Sequence, residues 1–233
     1  MAISTPNDLP NIAVWLDAQQ HSASDNDPVS TATDYHTGGG VDFTGVTTTR
    51  PLYKTNIHNG HPVFRFDGTD DFLINVAIVL GQPCTVGIFA RHSSGSVGGF
   101  EFFCGGAASE SSIFVNDATP DVYGFYGGAS VINTAVAADT SFHSFVGVFS
   151  GAASLLRIDA AETTGNPGTG GTVGYSIGAA NSGSGGPADC DIGELVICTS
   201  ALSAGNITDL EAYFTAHWAA AATGKPYYYH RNQ

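Results

Sequence analysis

The punctuation of this chain constrains its fold more than any single motif does. Short runs of alternating or continuous apolar character follow one another from residue 12 to residue 198, separated by clusters of Gly, Ser, Asn and Pro. They fall at 12–16, 63–66, 72–76, 85–90, 100–104, 112–115, 122–126, 130–133, 142–149, 154–159, 173–177 and 192–198. Runs this short read as strands, because a helix needs roughly ten residues or more to bury a face. The 30 glycines suit the many reversals such a chain needs, since tight turns demand φ > 0. Two runs, Phe145-Val146-Gly147-Val148-Phe149 and Leu195-Val196-Ile197-Cys198, are apolar at both parities and are therefore covered on both faces. These features predict an all-β fold, a two-sheet antiparallel β-sandwich. No composition break or internal repeat marks a second domain.

One helix interrupts the pattern. After Ser203, a good N-cap, Ile207, Leu210, Phe214 and Trp218 recur at helical spacing and form an apolar stripe that can pack on the sandwich. Gly224 and Pro226 stop it. The sandwich domain is predicted over residues 11–222, between an N-terminal tail at 1–10 and an aromatic tail at 223–233. The polar stretch from 17 to about 53, with Gly38-Gly39-Gly40, reads as a long loop.

Charge excludes whole classes of partner. The net charge is −14, with 21 acidic side chains against only seven scattered Lys and Arg. Nucleic acid and anionic membrane surfaces both need clustered cations, so neither is expected. The acidity is read as a solubility feature. No run approaches the ~18 apolar residues of a membrane span, so no membrane insertion is expected. The opening Met1-Ala-Ile-Ser-Thr-Pro lacks the basic start and apolar core of a signal peptide. That leaves synthesis and retention in the cytoplasm, exit inside an assembled particle, or removal of a leader. Cys84, Cys104, Cys190 and Cys198 have no metal-ligand spacing. Cys190 and Cys198 stand roughly 26 Å apart in one extended run and cannot bridge. A Cys84–Cys198 bridge between neighbouring strands remains open, but buried thiols are favoured.

Three segments carry a resemblance. They are Val14-Trp15-Leu16-Asp17-Ala18; Asn59-Gly60-His61-Pro62-Val63-Phe64-Arg65-Phe66-Asp67-Gly68-Thr69-Asp70-Asp71-Phe72-Leu73; and Asp191-Ile192-Gly193-Glu194-Leu195-Val196-Ile197 with Ala201-Leu202-Ser203, Leu210-Glu211-Ala212-Tyr213-Phe214 and His217-Trp218. Together they resemble the laminin-G-like, concanavalin A-like lectin and glucanase jelly-roll superfamily, of the kind found in bacterial surface proteins and phage virion proteins. Phe142-His143-Ser144-Phe145-Val146 and Tyr175-Ser176-Ile177-Gly178 also fall where that family places two central strands. The resemblance spans about residues 12–220. It implies a jelly roll with one C-terminal α-helix, and a non-catalytic binding or adhesion module. Such a module acts on glycans or as an accessory structural protein of a virion (decoration, tail or fibre). Its expected partners are a glycan or other particle subunits, with homo-oligomers in keeping, and its expected location is a virion or a cell surface. A glycoside hydrolase or polysaccharide lyase on the same fold is one alternative. A ligand-free oligomeric scaffold is the other.

Several motifs imitate catalytic or metal sites. Gly174-Tyr175-Ser176-Ile177-Gly178 matches the G-x-S-x-G nucleophile elbow, but the following Ala-Ala-Asn-Ser-Gly-Ser-Gly-Gly-Pro cannot form the helix that elbow requires. Asp189-Cys190-Asp191-Ile192-Gly193-Glu194 resembles the carboxylate-bearing strand of glycosidases on this fold, where retaining chemistry needs two carboxyls ~5 to 5.5 Å apart. In a regular strand Asp191 and Glu194 point to opposite faces, which argues against catalysis, although a bulge at Gly193 would reunite them. No catalytic residue is assigned. Asp67, Asp70 and Asp71 read as a turn fixed by Asp side chains, with calcium as the alternative, since related domains often bind it. Otherwise no cofactor or metal is expected. His58 and His61 flank an Asn-Gly turn and read as surface residues.

For a ligand, the best mixture is Asn116, Asp117, Tyr123 and Tyr126. Aromatic faces suit the C–H side of sugars, while Asn and Asp groups bond hydroxyls. Tyr123 and Phe125 share a strand face that could line a concave sheet, or could simply be core. Tyr227, Tyr228 and Tyr229 form a second candidate, a docking surface.

Overall fold

The computed structural model describes residues 2–94 and 97–220. Its strands are β1 (Ile12–Asp17), β2 (Thr31–Ala32), β3 (Phe43–Thr44), β4 (Leu52–His58), β5 (His61–Asp67), β6 (Leu73–Leu80), β7 (Cys84–His92) and β8 (Phe100–Gly106). They continue with β9 (Ser112–Asn116), β10 (Val122–Tyr126), β11 (Val131–Ala137), β12 (His143–Phe149), β13 (Ser154–Ile158), β14 (Ala161–Gly165), β15 (Thr172–Ile177) and β16 (Asp189–Cys198). One helix, α1 (Ala204–His217), follows. The strands form two antiparallel sheets. The first runs β14-β13-β12-β7-β16-β5-β4, with β1 also paired to β16, and the second runs β11-β10-β9-β8-β15-β6-β3-β2. The expected sandwich with one C-terminal helix is the observed fold.

Alternation builds the core between the sheets. Phe64, Phe66, Ile88, Phe145, Phe149, Leu195 and Ile197 of the first sheet meet Phe103, Ile113, Tyr123, Phe125, Tyr175 and Ile177 of the second, all buried. The opposite parity of the first sheet forms another apolar layer, with Trp15, Val63, Phe89, Val146 and Val196 beneath Ile207, Leu210, Phe214 and Trp218 of α1. The doubly apolar strands are thus covered by the second sheet on one side and by the helix on the other. Ser203 caps α1 as expected, accepting a hydrogen bond from the Asn206 backbone N–H at 3.2 Å. Two glycines let the helix approach. An added Cβ at Gly87 would stand 2.8 Å from Leu210, and one at Gly193 would stand 2.6 Å from the Trp218 ring.

The long loop is more structured than its polarity suggests. It contributes β2, β3 and the start of β4, and it buries Val29, Ala32 and Phe43 in the core. β4 and β14 were silent in the sequence because both are edge strands at the ends of the first sheet, with polar faces. The predicted N-terminal tail also packs. Pro6 and Leu9 are buried, and Leu9 joins the layer beneath α1, so the domain begins before residue 11. All four cysteines are buried and free. Cys84 lies in the inter-sheet core and Cys198 in the helix-side layer, so they occupy opposite faces of the first sheet and no bridge joins them. Residues 227–229, the proposed tyrosine docking surface, lie outside the described residues.

The close helix approach makes a prediction. Gly193→Ala should lower unfolding stability by about 1–3 kcal/mol by forcing Trp218 outward, with a red-shifted tryptophan emission. Gly81→Ala, where an added Cβ meets nothing within 4 Å, should leave both unchanged.

Candidate functional site

β16 carries the carboxylates that imitate a glycosidase. Its pairing with β7 slips between Ile192 and Glu194. This bulge lies at Gly193 and reverses the expected parity. Asp191 and Glu194 both lie on the helix side, so parity does not separate them. Their partners do. Asp191 is fully buried and spans two guanidinium groups, accepting from Arg65 Nε at 2.7 Å and Nη2 at 2.8 Å, and from Arg91 Nε at 2.8 Å. Glu194 is buried under α1 and accepts three hydrogen bonds. Trp15 Nε1 (2.7 Å) and the Tyr213 hydroxyl (2.9 Å) donate to one oxygen, and Trp218 Nε1 (2.9 Å) donates to the other. Each carboxylate is used up in holding elements together.

Beside Glu194, Asp17 accepts from the Gln19 backbone N–H and pairs with His217 Nε2 at 3.1 Å. Asp17, Glu194 and His217 each offer a ligand atom within 4.8 Å of the others, as do Asp67, Asp70 and Asp71. The first group is already saturated with N–H and O–H donors. In the second, the Asp67 carboxylate accepts from Thr69 N and Asp71 from Asp67 N, as a fixed turn requires. Burial, followed by the Asp67 charge, raises Asp71 to about 6. These three oxygens could gather a hard cation. Ser176 of the elbow-like motif is buried inside β15, where its hydroxyl donates to the Gly105 and Ala179 carbonyls, so it is no exposed nucleophile. His58 and His61 pair across the β4–β5 hairpin, and His61 bonds the Ala219 carbonyl at 2.9 Å.

On the outer face of the second sheet, away from α1, Ala180 and the segment after it cover Phe102 and Phe114, and the exposed or half-exposed residues are Phe100, Asn116, Val122, Tyr126, Val131 and Asn133. Cross-strand register sets out its side chains in rungs. Phe100, Asn116, Val122 and Ala137 form one; Phe102, Phe114, Gly124 and Asn133 form the next; Ser112, Tyr126 and Val131 form the third. Phe100, Phe102 and Phe114 make a compact aromatic group, with Phe100 and Phe102 each 5.2 Å from Phe114. Gly124 is what lets Phe114 lie flat, since an added Cβ there would stand 2.6 Å from the ring. Tyr126 packs against this group, and Phe100 is 42% exposed. Asn116 Nδ2 donates to Asn133 Oδ1 at 2.9 Å on the same face. The buried Ser112 hydroxyl on this face has no hydrogen-bond partner among the described residues.

Two of the four sequence-predicted ligand residues, Asn116 and Tyr126, meet on this face. Asp117 is exposed in the turn after β9, at the edge of the face. Tyr123 is a correction. With Phe125 it points into the inter-sheet core, and its hydroxyl bonds the Asp139 carbonyl at 3.3 Å. The chosen parity of β10 was the buried one. Phe100, Phe102, Phe114 and Asn133 were missed. The signal available was the i, i+2 phenylalanine pair of β8, which presents two rings to one face.

No family model matches the chain, and no curated protein sequence matches it. Solved structures do. Trypanosoma rangeli sialidase in complex with the inhibitor DANA superposes with a TM-score of 0.57 at 14% identity, over 90% of this chain and 34% of that one. The botulinum neurotoxin type G receptor-binding domain gives 0.56 at 9%, over 89% and 51%. The binding domain of botulinum neurotoxin DC, in complex with rat synaptotagmin II, gives 0.54 at 10%, over 89% and 52%. The chain therefore spans about a third to a half of these proteins, and the likeness is one of fold, a β-sandwich of jelly-roll type.

The environment of Glu194 makes a prediction. Burial, then the Asp17 charge, pushes Glu194 up to about 8 from its ordinary 4.5. Burial alone would lower His217, but the Asp17 hydrogen bond and the Glu194 and Asp17 charges raise it on balance. Both groups hold a proton more tightly folded than unfolded. The stability they contribute is therefore complete below their unfolded values and lost as pH rises through the folded ones. Melting temperature should fall between pH 5 and pH 9, and less steeply in Glu194→Gln. That variant should also lose about 1–3 kcal/mol near pH 5. Both oxygens accept from indole N–H groups, which a carboxylic acid tolerates and an amide nitrogen cannot. A variant as stable as the parent would contradict this account.

Proposed function

We propose that this chain is a non-catalytic carbohydrate-binding module whose ligand lies across β8, β9, β10 and β11 on the outer face of the second sheet. The observation that carries this reading is exposed Phe100 and half-exposed Tyr126, seated on buried Phe102 and Phe114, on one face with the Asn116–Asn133 amide pair. Aromatic faces take the C–H side of a sugar, and carboxamides take its hydroxyls. What supports the non-catalytic part is that Asp191 and Glu194 of the glycosidase-like run are buried and engaged beneath α1. Receptor-binding domains among the solved structures of like fold are in keeping with a recognition role. Display on a virion or cell surface follows from the laminin-G-like resemblance of the β1, β5 and β16 motifs.

A second reading, an oligomeric scaffold, is favoured by one observation. Val79 and Val173 pair across β6 and β15 and are 71% and 63% exposed, with Val76 nearby at 72%. Here the occupant is a second copy of the chain.

Retention on a panel of immobilised glycans separates these readings. Phe100→Ala and Tyr126→Ala should each weaken retention about tenfold, roughly 1.4 kcal/mol, without releasing products or altering the melting temperature by more than a few degrees. Unchanged retention in the double variant, or sugar release abolished by Glu194→Gln, would overturn the proposal. Light scattering that finds an oligomer dissociated by Val79→Asp would support the scaffold; a monomer would refute it.

A further inference from the structure

The cations of this protein are unevenly shared between its sheets. Every Lys, Arg and His that lies in a strand belongs to the first sheet: Lys54 and His58 on β4, His61 and Arg65 on β5, Arg91 and His92 on β7, His143 on β12 and Arg157 on β13. The eight strands of the second sheet contain none, and Glu101 is their only charged residue. The gap is wider in sequence. No Lys, Arg or His occurs from residue 93 to residue 142, the stretch that forms β8 to β11 with their connections, yet it holds Glu101, Glu110, Asp117, Asp121 and Asp139. Arg50, which approaches Gly45 after β3, lies toward the far edge of the sheet, beyond β15 and β6.

We infer that the ligand of the outer face is an uncharged glycan read through adjacent hydroxyls, and that the site excludes acidic sugars; this rests on the carbohydrate-binding reading above. A carboxylate or sulfate laid across β8–β11 would meet no cation on these strands, in the field of a molecule carrying −14. Recognition of such groups relies on Arg or Lys, so their absence discriminates against them. The polar groups of this face are neutral, and its two amides are paired. One hydrogen bond joins Asn116 and Asn133, which leaves a free carbonyl on one amide and free N–H groups on the other. The same holds with both amides turned over. A donor beside an acceptor matches two neighbouring hydroxyls, each of which both gives and takes a hydrogen bond. Phe100, the exposed ring beside them, supplies the apolar contact.

The test compares neutral hexose oligomers, uronate oligomers and glucosamine oligomers of equal length by calorimetry, at low and high salt. The neutral series should bind with a Kd that salt changes by less than about twofold, because no ion pair is formed. The uronate series should bind at least about tenfold more weakly. Asn133→Lys should gain uronate binding while keeping the parent melting temperature. Uronate or glucosamine oligomers that bind more tightly than the neutral ones, with binding lost in Phe100→Ala, would overturn the inference and leave the binding site standing. Absence of binding in all three series would overturn both.

Discussion

One buried carboxylate ties the molecule together. Glu194 of β16 takes an indole N–H from β1, a hydroxyl from within α1 and a second indole N–H from its C-terminal end. Trp15 and Glu194 alone are 179 residues apart in the chain, so the contact can exist only when the sandwich is complete. Burying a carboxylate is costly unless its lone pairs are met by donors. Here three donors meet them, all from side chains whose apolar bodies already belong to the layer beneath the helix. The polar tips of Trp15, Tyr213 and Trp218 thus fix the orientation of rings that burial alone would leave free to repack. The Gly193 bulge is part of the same device. It turns Glu194 toward the helix and, lacking a Cβ, makes room for the Trp218 ring.

The same economy explains where the charges lie. The first sheet faces a helix and must bury Asp191, Asp17 and Glu211 at that junction. Its scarce cations are committed there, Arg65 and Arg91 to Asp191, His217 to Asp17, and Arg157 to Glu211 at 2.7 Å. The second sheet carries no α-helix over its outer face, only the short 3-10 turn Asn181–Gly183, buries no such carboxylate there, and needs no cation. Its outer surface is left aromatic, amide-bearing and uncharged. An uncharged outer face on an acidic protein is therefore a consequence of how the opposite sheet is held.

The fold was legible because its strands have covered faces. Runs such as 85–90, 142–149 and 192–198 declare themselves by apolar parity, and α1 by its stripe and its Ser203 cap. What stayed hidden were β4 and β14, polar edge strands with little alternation, and the short β2 and β3, which pack through the single buried residues Ala32 and Phe43. The site was half legible. Composition pointed to strands whose outward residues include Asn116 and Tyr126, but could not say which parity of β10 looks outward. Tyr123 and Tyr126 are equally aromatic in sequence. Only the register with β9, which sets Gly124 and Tyr126 beside Phe114 and Ser112, assigns the face. The Gly193 bulge shows the same limit in reverse, because one extra residue cancels a parity argument that is sound for a regular strand.

The residues that carry the family resemblance and the residues that form the candidate site do not overlap. Trp15, Asp17, Glu194, Tyr213, His217 and Trp218 all lie at the helix-side junction, and Arg65 and Asp191 adjoin them on the same sheet face. Phe100, Phe114, Asn116, Tyr126 and Asn133 lie on the far side of the other sheet, separated from that junction by the inter-sheet core. The junction is constrained by a buried carboxyl group and tolerates little change, since each donor there answers a specific lone pair. On the outer face Phe102, Phe114 and Gly124 are held by packing, but the exposed Phe100, Val131 and Asn133 side chains can be exchanged without disturbing the clamp. A motif drawn from the junction therefore reports the fold faithfully and is silent about the outer face.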